Sequence, residues 1–231
     1  MGLEIMNYTF ADGLDAFETI HPTVTRCMDG INGVSMHGPF DGLVYLTRDP
    51  LLIEVTMKRF IQSINAASFH KVKHLVFHSG YRSFFGANAG LQDLFISHSI
   101  KFWKDFEKYI PDGTTVYIEN VEDENPEIFL RVIQGVNSPK VRCCFDIGHA
   151  YVYSPVPLDK WVSILGKYIG HIYINDNDGK YDRHFPLGKG NIPLFDVINC
   201  LFKYVGEEVP FVLECDVSAS IEWLKDKKFI G

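Results

Sequence analysis

Nearly every strand-like segment of this chain ends in a side chain that can bind a metal ion. These side chains are histidines, aspartates and glutamates, and they are widely separated in sequence. They are His37, His78, Glu119, Asp146 with His149, Asp182 with His184, and Glu214. Strand ends so far apart converge only when they are gathered around one axis, as at the top of a barrel. This pattern constrains the fold more than any other feature.

The strand candidates are short runs rich in Val, Ile, Tyr and Phe. They are Leu3–Met6, Gly33–His37, His74–His78, Thr115–Glu119, Val141–Asp146, His171–Asn175 and Phe211–Glu214. Longer segments of helical period separate them. This alternation predicts βα units, a parallel sheet and therefore an α/β TIM (β/α) barrel.

Two helix starts are readable. Asp49-Pro50 and Asn125-Pro126 each place a capping residue before a proline in the first helical turn. A third helix is predicted over Leu91–Ile110, where aromatic residues recur at three- and four-residue spacings. These aromatic residues are predicted to face the core, and they are Phe95, Phe102, Trp103, Phe106 and Tyr109.

The strand count is seven, one fewer than a complete barrel requires. Two explanations stay open. An eighth strand is hidden, with Lys227–Ile230 as the candidate, or the barrel is incomplete and a loop or partner subunit covers its open edge.

Composition limits the domain count and the compartment. A chain of 231 residues with 46% hydrophobic residues is expected to form one domain over residues 1–231. The net charge of -7 argues against a broad basic surface, although a metal cluster could still hold a polyanion.

Five cysteines without paired spacing favour a reducing cytoplasm. No stretch is apolar enough for a membrane span.

Six runs carry a family resemblance. They are SMHGPF (35–40), LVFHSGY (75–81), VYIEN (116–120), CFDIGHA (144–150), YINDNDGKYDRHFPLGKGN (173–191) and FVLEC (211–215). In this order they resemble the xylose isomerase-like TIM-barrel superfamily. This superfamily includes sugar and sugar-phosphate isomerases and epimerases, and also the endonuclease IV family of apurinic-site nucleases.

The resemblance to the endonuclease IV branch implies eight of its nine ligands to three zinc ions. It assigns one ion to His37, His78 and Glu119, and another to His149, Asp182 and His184. A central ion takes Asp146 and Glu214, with Glu119 as a bridge.

The ninth ligand of the family is a histidine of the central ion, and Tyr173 stands in its place. His171 lies about 6.6 Å further down the same strand face, too far to replace it. Single-metal epimerases of the superfamily use the same central position. The missing histidine therefore weakens the match to the epimerases as well as to the nucleases.

Imidazole and carboxylate ligands together suit zinc or manganese, and we expect one to three ions. A bound ion could polarise a sugar carbonyl while Glu119 or Glu214 moves a proton on the neighbouring carbon. Alternatively, paired ions could clamp a phosphate and activate water. Candidate substrate contacts are Lys189 in a Gly-Lys-Gly-Asn turn, Tyr81 and Tyr173, although the turn and the Tyr81 region also have purely structural explanations.

Three functions remain open. The favoured one is a metal-dependent isomerase or epimerase of a sugar or sugar phosphate. The second is an endonuclease IV-like phosphodiesterase, for which nucleic acid is the partner; the absence of inserted basic loops makes it less favoured. The third is a metal-binding module without catalysis. No membrane partner is expected, and a homo-oligomer is possible because an open barrel edge favours association.

Overall fold

The protein is described by a computed structural model that covers residues 2–231, with only the backbone described at Ala87. Seven strands occur in this range and alternate with helices. They are β1 (Gly2–Ile5), β2 (Gly33–His37), β3 (His74–His78), β4 (Thr115–Glu119), β5 (Val141–Asp146), β6 (Ile169–Ile174) and β7 (Phe211–Leu213).

The α-helices follow the strands along the chain. They are α1 (Ala11–Asp15), α2 (Phe17–Cys27), α3 (Pro50–Phe69), α4 (Ala89–Glu107), α5 (Pro126–Val136), α6 (Ile147–Tyr153), α7 (Leu158–Leu165), α8 (Leu194–Tyr204) and α9 (Val217–Asp226). Short 3-10 segments cover Ser83–Ala87 and Gly166–Tyr168.

The strands are hydrogen-bonded neighbours in chain order, from β1 to β7. The predicted α/β class and the seven predicted strands are confirmed. The suggested eighth strand is wrong, because Lys227–Ile230 follows α9 as a turn in which Lys228 has a φ of 62°.

Four predicted strands match the structure at both ends, and the other three differ at their ends. β1 begins and ends one residue before the predicted Leu3–Met6, and β7 ends one residue before Glu214. β6 covers Ile169–Ile174 rather than His171–Asn175, because Ile169 pairs with Cys143 at a register shift. Such a shift has no signature in hydrophobic alternation.

Both predicted helix starts are confirmed by their caps. The Asp49 side chain accepts a hydrogen bond of 3.0 Å from the Leu51 N–H at the start of α3. Asn125 Oδ1 accepts one of 2.9 Å from the Glu127 N–H at the start of α5. Each cap satisfies a backbone donor that the first helical turn leaves free.

The described residues pack as two compact units, and each is discontinuous in sequence. The first contains the chain up to Gly80, Asp93–Ile118 and Val132–Arg142, and the second contains Tyr81–Gln92, Glu119–Arg131 and Cys143–Gly231. A single domain over residues 1–231 therefore stays a prediction.

An aromatic cluster forms the core of the first unit. Trp103 is fully buried, and its ring lies 5.8 Å from Phe60 and 5.9 Å from Phe106 between centroids. The predicted aromatic stripe of α4 is thus confirmed except at Tyr109, which is 41% exposed. Tyr109 lies beyond the last residue of α4, in a turn, so the helical spacing no longer directs it inward.

In the second unit, parallel pairing of β5, β6 and β7 sets the register that matters for the site. Asp146 is opposite Tyr173, and Tyr173 is opposite Val212. Behind this sheet Trp161 of α7 is fully buried and stacks on Phe145 at 5.8 Å.

Within residues 2–231, the helices are all too short or too polar to cross a membrane.

The aromatic cluster predicts a large stability effect. Replacing Trp103 with alanine should lower the free energy of unfolding by about 3–5 kcal/mol, because it leaves a cavity among Phe60, Phe102 and Phe106. The midpoint of thermal unfolding should fall by roughly 6–20 °C for a chain of this size. Leu51→Ala is the control, since Leu51 is 65% exposed and should change little. Equal melting temperatures for the two variants would contradict the packing described.

Candidate metal centre

The candidate centre in the second unit starts from two neighbouring strand ends. Glu119 is the last residue of β4 and is 1% exposed. The next residue, Asn120, donates from Nδ2 to the Asp146 carbonyl and accepts at Oδ1 from the Asp146 N–H, both at 2.9 Å. This paired hydrogen bond fixes the end of β5 against the end of β4 and places two carboxylates side by side.

Asp146 then positions the first histidine. Its Oδ1 caps α6 by accepting a hydrogen bond of 2.7 Å from the His149 N–H. Asp146 is therefore the N-cap of α6. Its other oxygen, Oδ2, is buried without a hydrogen-bond partner among residues 2–231 and lies 3.5 Å from His149 Nδ1. A capping role thus leaves one carboxylate oxygen available as a ligand.

Two histidines are held with the same ring nitrogen turned toward Asp182. His149 Nδ1 donates to the Asn120 carbonyl at 3.0 Å, and His184 Nδ1 donates to the Glu214 carbonyl at 2.6 Å. A carbonyl can only accept, so both Nε2 atoms are left as ligands. They lie 3.1 Å and 3.0 Å from Asp182 Oδ2.

His184 occupies a backbone conformation that side chains with a Cβ rarely adopt. Its φ is 47°, in the left-handed region, where histidine is among the more tolerated residues. This conformation turns its ring back toward Asp182 only two residues earlier in the chain.

Within the second unit, the described ligand atoms form two overlapping groups, each gathered within 4.8 Å. One group is Glu119, Asp146 and His149, and the other is His149, Asp182 and His184. Each mixes imidazole nitrogen with carboxylate oxygen, the donor set of a catalytic rather than a purely structural metal site. Asp146 Oδ2 and Asp182 Oδ1 are both buried without a hydrogen-bond partner in residues 2–231. The residues present therefore fit a cation.

The electrostatics of the centre also favour a cation. Burial raises the pKa of Asp146 to about 6, and the Glu119 carboxylate adds to this effect. Burial alone would lower the pKa of His149, but Asp146, Asp182 and Glu119 together raise it well above its ordinary value. Three carboxylates thus attract a proton onto an imidazole, and a metal ion would compete with that proton for the same nitrogen.

Asp182 shows the opposite shift. Burial would raise the pKa of this carboxyl, but its hydrogen bonds to His149 and His184 hold the pKa well below its usual range. The hydrogen bond to Asp182 in turn raises the pKa of His184. Asp182 therefore stays ionised and can serve as a ligand.

A buried carboxylate organises the loop that follows β6. Asp176 is 1% exposed and accepts backbone hydrogen bonds from Asn177 and Ile192 at Oδ1 and from Gly188 and Gly190 at Oδ2. The loop from Asp176 to Ile192, which contains Asp182 and His184, is thereby closed on this one side chain. The N–H groups of Gly188 and Gly190 are used internally, which favours the structural explanation of the Gly-Lys-Gly-Asn turn.

His37 and His78 lie in the first unit, at the ends of β2 and β3. Their rings are T-shaped at 5.0 Å, and Phe40 stacks on His78 at 4.5 Å. His37 Nδ1 donates to the Gly38 carbonyl at 2.8 Å. The predicted ion shared with Glu119 stays a prediction.

Glu214 follows β7, and its Oε2 lies 3.9 Å from His184 Nδ1. Its backbone carbonyl has a firmer role, since it fixes the His184 ring. The roles of Glu214 as a ligand and of Glu119 and Glu214 as catalytic groups stay predictions.

The three predicted substrate contacts occupy different environments. Tyr173 is fully buried with its ring 5.3 Å from His171. Tyr81 is 2% exposed and packs against Phe85, and burial raises its pKa to about 12. Lys189 is exposed in the loop organised by Asp176. Substrate binding by all three stays a prediction, and the packing of Tyr81 favours a structural role.

Sequence reasoning missed Asn120 and Asp176, which act on the ligands through the backbone. Both carried a usable signal. Asn120 directly follows the glutamate that ends β4, and Asp176 stands in the Asn-Asp-Asn-Asp run that follows β6. Side chains of this type often bind backbone groups at strand ends.

Parallel strands in chain order, with helices between them and ligand side chains after their carboxyl ends, define a (β/α) barrel class of protein. The chain belongs to the xylose isomerase-like TIM barrel family, whose model matches residues 26–227. The predicted TIM-barrel fold and the resemblance are thus confirmed.

Two curated relatives are similar in sequence. A probable endonuclease 4 of Aquifex aeolicus is 24% identical over 221 residues, covering 85% of this chain and 75% of that protein. The uncharacterized protein MJ1311 of Methanocaldococcus jannaschii is 24% identical over 180 residues. That match covers 73% of this chain but 59% of the relative's length.

Solved structures share the fold. A D-tagatose 3-epimerase-like protein superposes with a TM-score of 0.76 at 21% identity, covering 98% of this chain and 87% of that one. The TTHB071 protein of Thermus thermophilus, from a crystal soaked with zinc chloride, superposes with a TM-score of 0.69 at 21% identity. It covers 100% of this chain and 98% of that one.

The convergence on Asp182 predicts a specific loss of metal binding. Replacing His184 with alanine should remove one ion per chain, or weaken its binding by more than about 100-fold, since a direct ligand is lost. Metal content by mass spectrometry and zinc titration would measure this. His98→Ala is the control, because His98 lies on α4 and belongs to neither of these groups. Equal zinc content in both variants would contradict the assignment.

The Asp176 contacts predict a linked loss of stability and of metal affinity. Asp176→Asn places an amide NH2 where one oxygen accepts two N–H groups, and should cost about 2–4 kcal/mol. Asp178→Asn is a matched control, because both backbone bonds of Asp178 go to Oδ1, which asparagine retains. Thermal unfolding with and without zinc would test this. A stable Asp176→Asn protein with normal zinc affinity would show that the loop does not depend on Asp176.

Proposed function

We propose that this protein is a zinc- or manganese-dependent hydrolase that acts on a phosphate ester of a sugar, with an abasic sugar in nucleic acid as one such substrate. The observation that carries the proposal is the convergence of His149 Nε2, His184 Nε2 and Asp182 Oδ2 within 3.1 Å contacts. Both histidines are fixed in the ligand tautomer by backbone carbonyls.

This group separates the two main alternatives. The family resemblance implies that a site at His149, Asp182 and His184 is typical of the endonuclease IV branch. Single-metal epimerases use instead the central position, at Asp146 and Glu214. The central position lacks its histidine because Tyr173 stands there. The complete group therefore favours more than one ion, and the endonuclease 4 relative supports the same branch.

Metal ions held here would supply a clamp for the phosphate and a water of lowered pKa. The chain's own residues supply the rest. Burial raises the pKa of Asp146 to about 6, whereas Asp182 stays ionised between two imidazoles. Lys189 is exposed in the loop, and its ammonium group would bind the phosphate as a positive charge.

A second candidate is the metal-dependent isomerase or epimerase of a sugar or sugar phosphate. The observation that favours it is the epimerase-like structural neighbour, together with the net charge of -7, which suits a small substrate better than a duplex. In this reaction Glu119 and Glu214 would act as general bases on the carbon beside a polarised carbonyl. A metal-binding module without catalysis is the third candidate. A cytoplasmic location and a homo-oligomer also stay predictions.

One pair of assays separates the candidates. The zinc- and manganese-loaded protein should hydrolyse bis(4-nitrophenyl) phosphate or cleave abasic-site DNA, and Asp182→Asn should lower this activity by more than about 100-fold. Asp178→Asn is the matched control and should retain it. The same preparations are then incubated with ketoses and ketose phosphates in heavy water and followed by NMR.

Deuterium incorporation beside the carbonyl, without phosphate-ester cleavage, would replace the hydrolase with the isomerase. A protein that binds metal and shows neither activity on these substrates would support the non-catalytic module.

A further inference from the structure

Asn175 is a buried amide next to the candidate centre with both of its polar atoms unused. It directly follows β6 and is 0% exposed. Neither Oδ1 nor Nδ2 has a hydrogen-bond partner among the described residues 2–231. Its neighbour Asn177 is equally buried but donates from Nδ2 to the Gly148 carbonyl at 3.0 Å and accepts from the Gly179 N–H at 2.9 Å.

The register of the sheet places Asn175 on the ligand side. Asp146 and Tyr173 are opposite each other in parallel strands, so their side chains share one face of the sheet. Asn175 is two residues beyond Tyr173 and lies on the same face, nearer the carboxyl end of the barrel strands.

Gly148 brings the amide close to the ligands. A Cβ at Gly148 would lie 2.2 Å from Asn175 Oδ1 and 2.6 Å from Nδ2, so the carboxamide rests directly on the Gly148 backbone. Gly148 stands between Asp146, which caps α6, and His149, which belongs to both ligand groups. The amide thus covers the short segment that joins two candidate ligands.

An unpaired buried amide destabilises the protein, because folding removes its hydrogen bonds to water without replacing them. A purely structural residue at this position would be apolar, or bonded as Asn177 is. The amide of Asn175 therefore points to a partner that enters the centre after folding. Because both atoms are closed off from bulk solvent, the partner has to be small and enclosed within the site.

We propose that Asn175 is a positioning residue of the metal centre, and that its carboxamide hydrogen-bonds a water molecule enclosed beside an ion held by the Glu119 and Asp146 carboxylates. A carboxamide offers one acceptor and one donor side, which suits a water that is itself oriented by a cation. The inference rests on the proposed metal centre but not on which reaction that centre performs.

The test compares Asn175→Leu with Asn177→Leu, two replacements of buried asparagine by a side chain of similar shape. Thermal unfolding is measured on metal-free protein and on protein saturated with zinc, and the zinc Kd is measured by titration calorimetry. Metal-free Asn175→Leu should melt at or above the wild-type temperature, and its zinc Kd should be at least about tenfold weaker. Asn177→Leu should melt lower with and without zinc and keep the wild-type rise on zinc binding.

The outcomes are separable. Wild-type zinc affinity in Asn175→Leu would overturn the role of Asn175 and leave the metal centre intact. A metal-free Asn175→Leu protein that is destabilised as much as Asn177→Leu would also overturn it, because the amide would then be bonded within the fold. Failure of the wild-type protein to bind zinc or manganese would remove the metal centre itself. If Asn175→Leu does not fold, the zinc Kd of Asn175→Ala decides by the same tenfold criterion.

Discussion

The carboxylate of Asp146 determines where the candidate centre lies. Its backbone is bonded on both sides to the Asn120 amide, so the ends of β4 and β5 are fixed together. Its Oδ1 begins α6 and thereby places His149 one turn away, while Oδ2 remains unbonded and buried. Removing this one side chain would leave the helix uncapped, His149 unplaced and the acidic group incomplete. Helix capping and ligand geometry thus depend on one side chain, whereas the two strand ends are joined by the Asn120 amide and the Asp146 backbone.

In the loop after β6, a different set of hydrogen bonds positions the candidate ligands. Asp182 and His184 lie in a loop and not in a strand or helix, and a second buried aspartate, Asp176, accepts hydrogen bonds from four backbone N–H groups of that loop. Charge-assisted hydrogen bonds of this kind are stronger than neutral ones. The hydrogen bonds to Asp176 thus give this irregular loop backbone a fixed arrangement around one carboxylate.

The fold, and the proximity of His149, Asp182 and His184, were predictable because they depend on periodicity and on residue type. Apolar runs ending in His37, Glu119 or Asp146 carry both signals at once. Asn120 and Asp176 were not identified, because an Asn or Asp after a strand indicates a backbone hydrogen bond but not which distant backbone group it binds. The start of β6 was missed because the register shift at Cys143 and Cys144 has no signature in hydrophobic alternation. Tyr109 continues the aromatic spacing of α4 but lies past the end of the helix, where residue spacing no longer indicates which way a side chain points.

Tyr173 makes the two candidate ligand groups of the centre differ in their number of nitrogen ligands. In the family resemblance a histidine stands here, opposite Asp146, and gives the central ion a nitrogen ligand. The phenol is fully buried, and a neutral phenol is a much weaker metal ligand than imidazole. The group at His149, Asp182 and His184 contains two imidazoles and one carboxylate. The group at Glu119 and Asp146 contains two carboxylates and only the His149 imidazole. Burial and the Glu119 carboxylate raise the pKa of Asp146, so a cation bound at either group would favour the ionised form of this carboxyl.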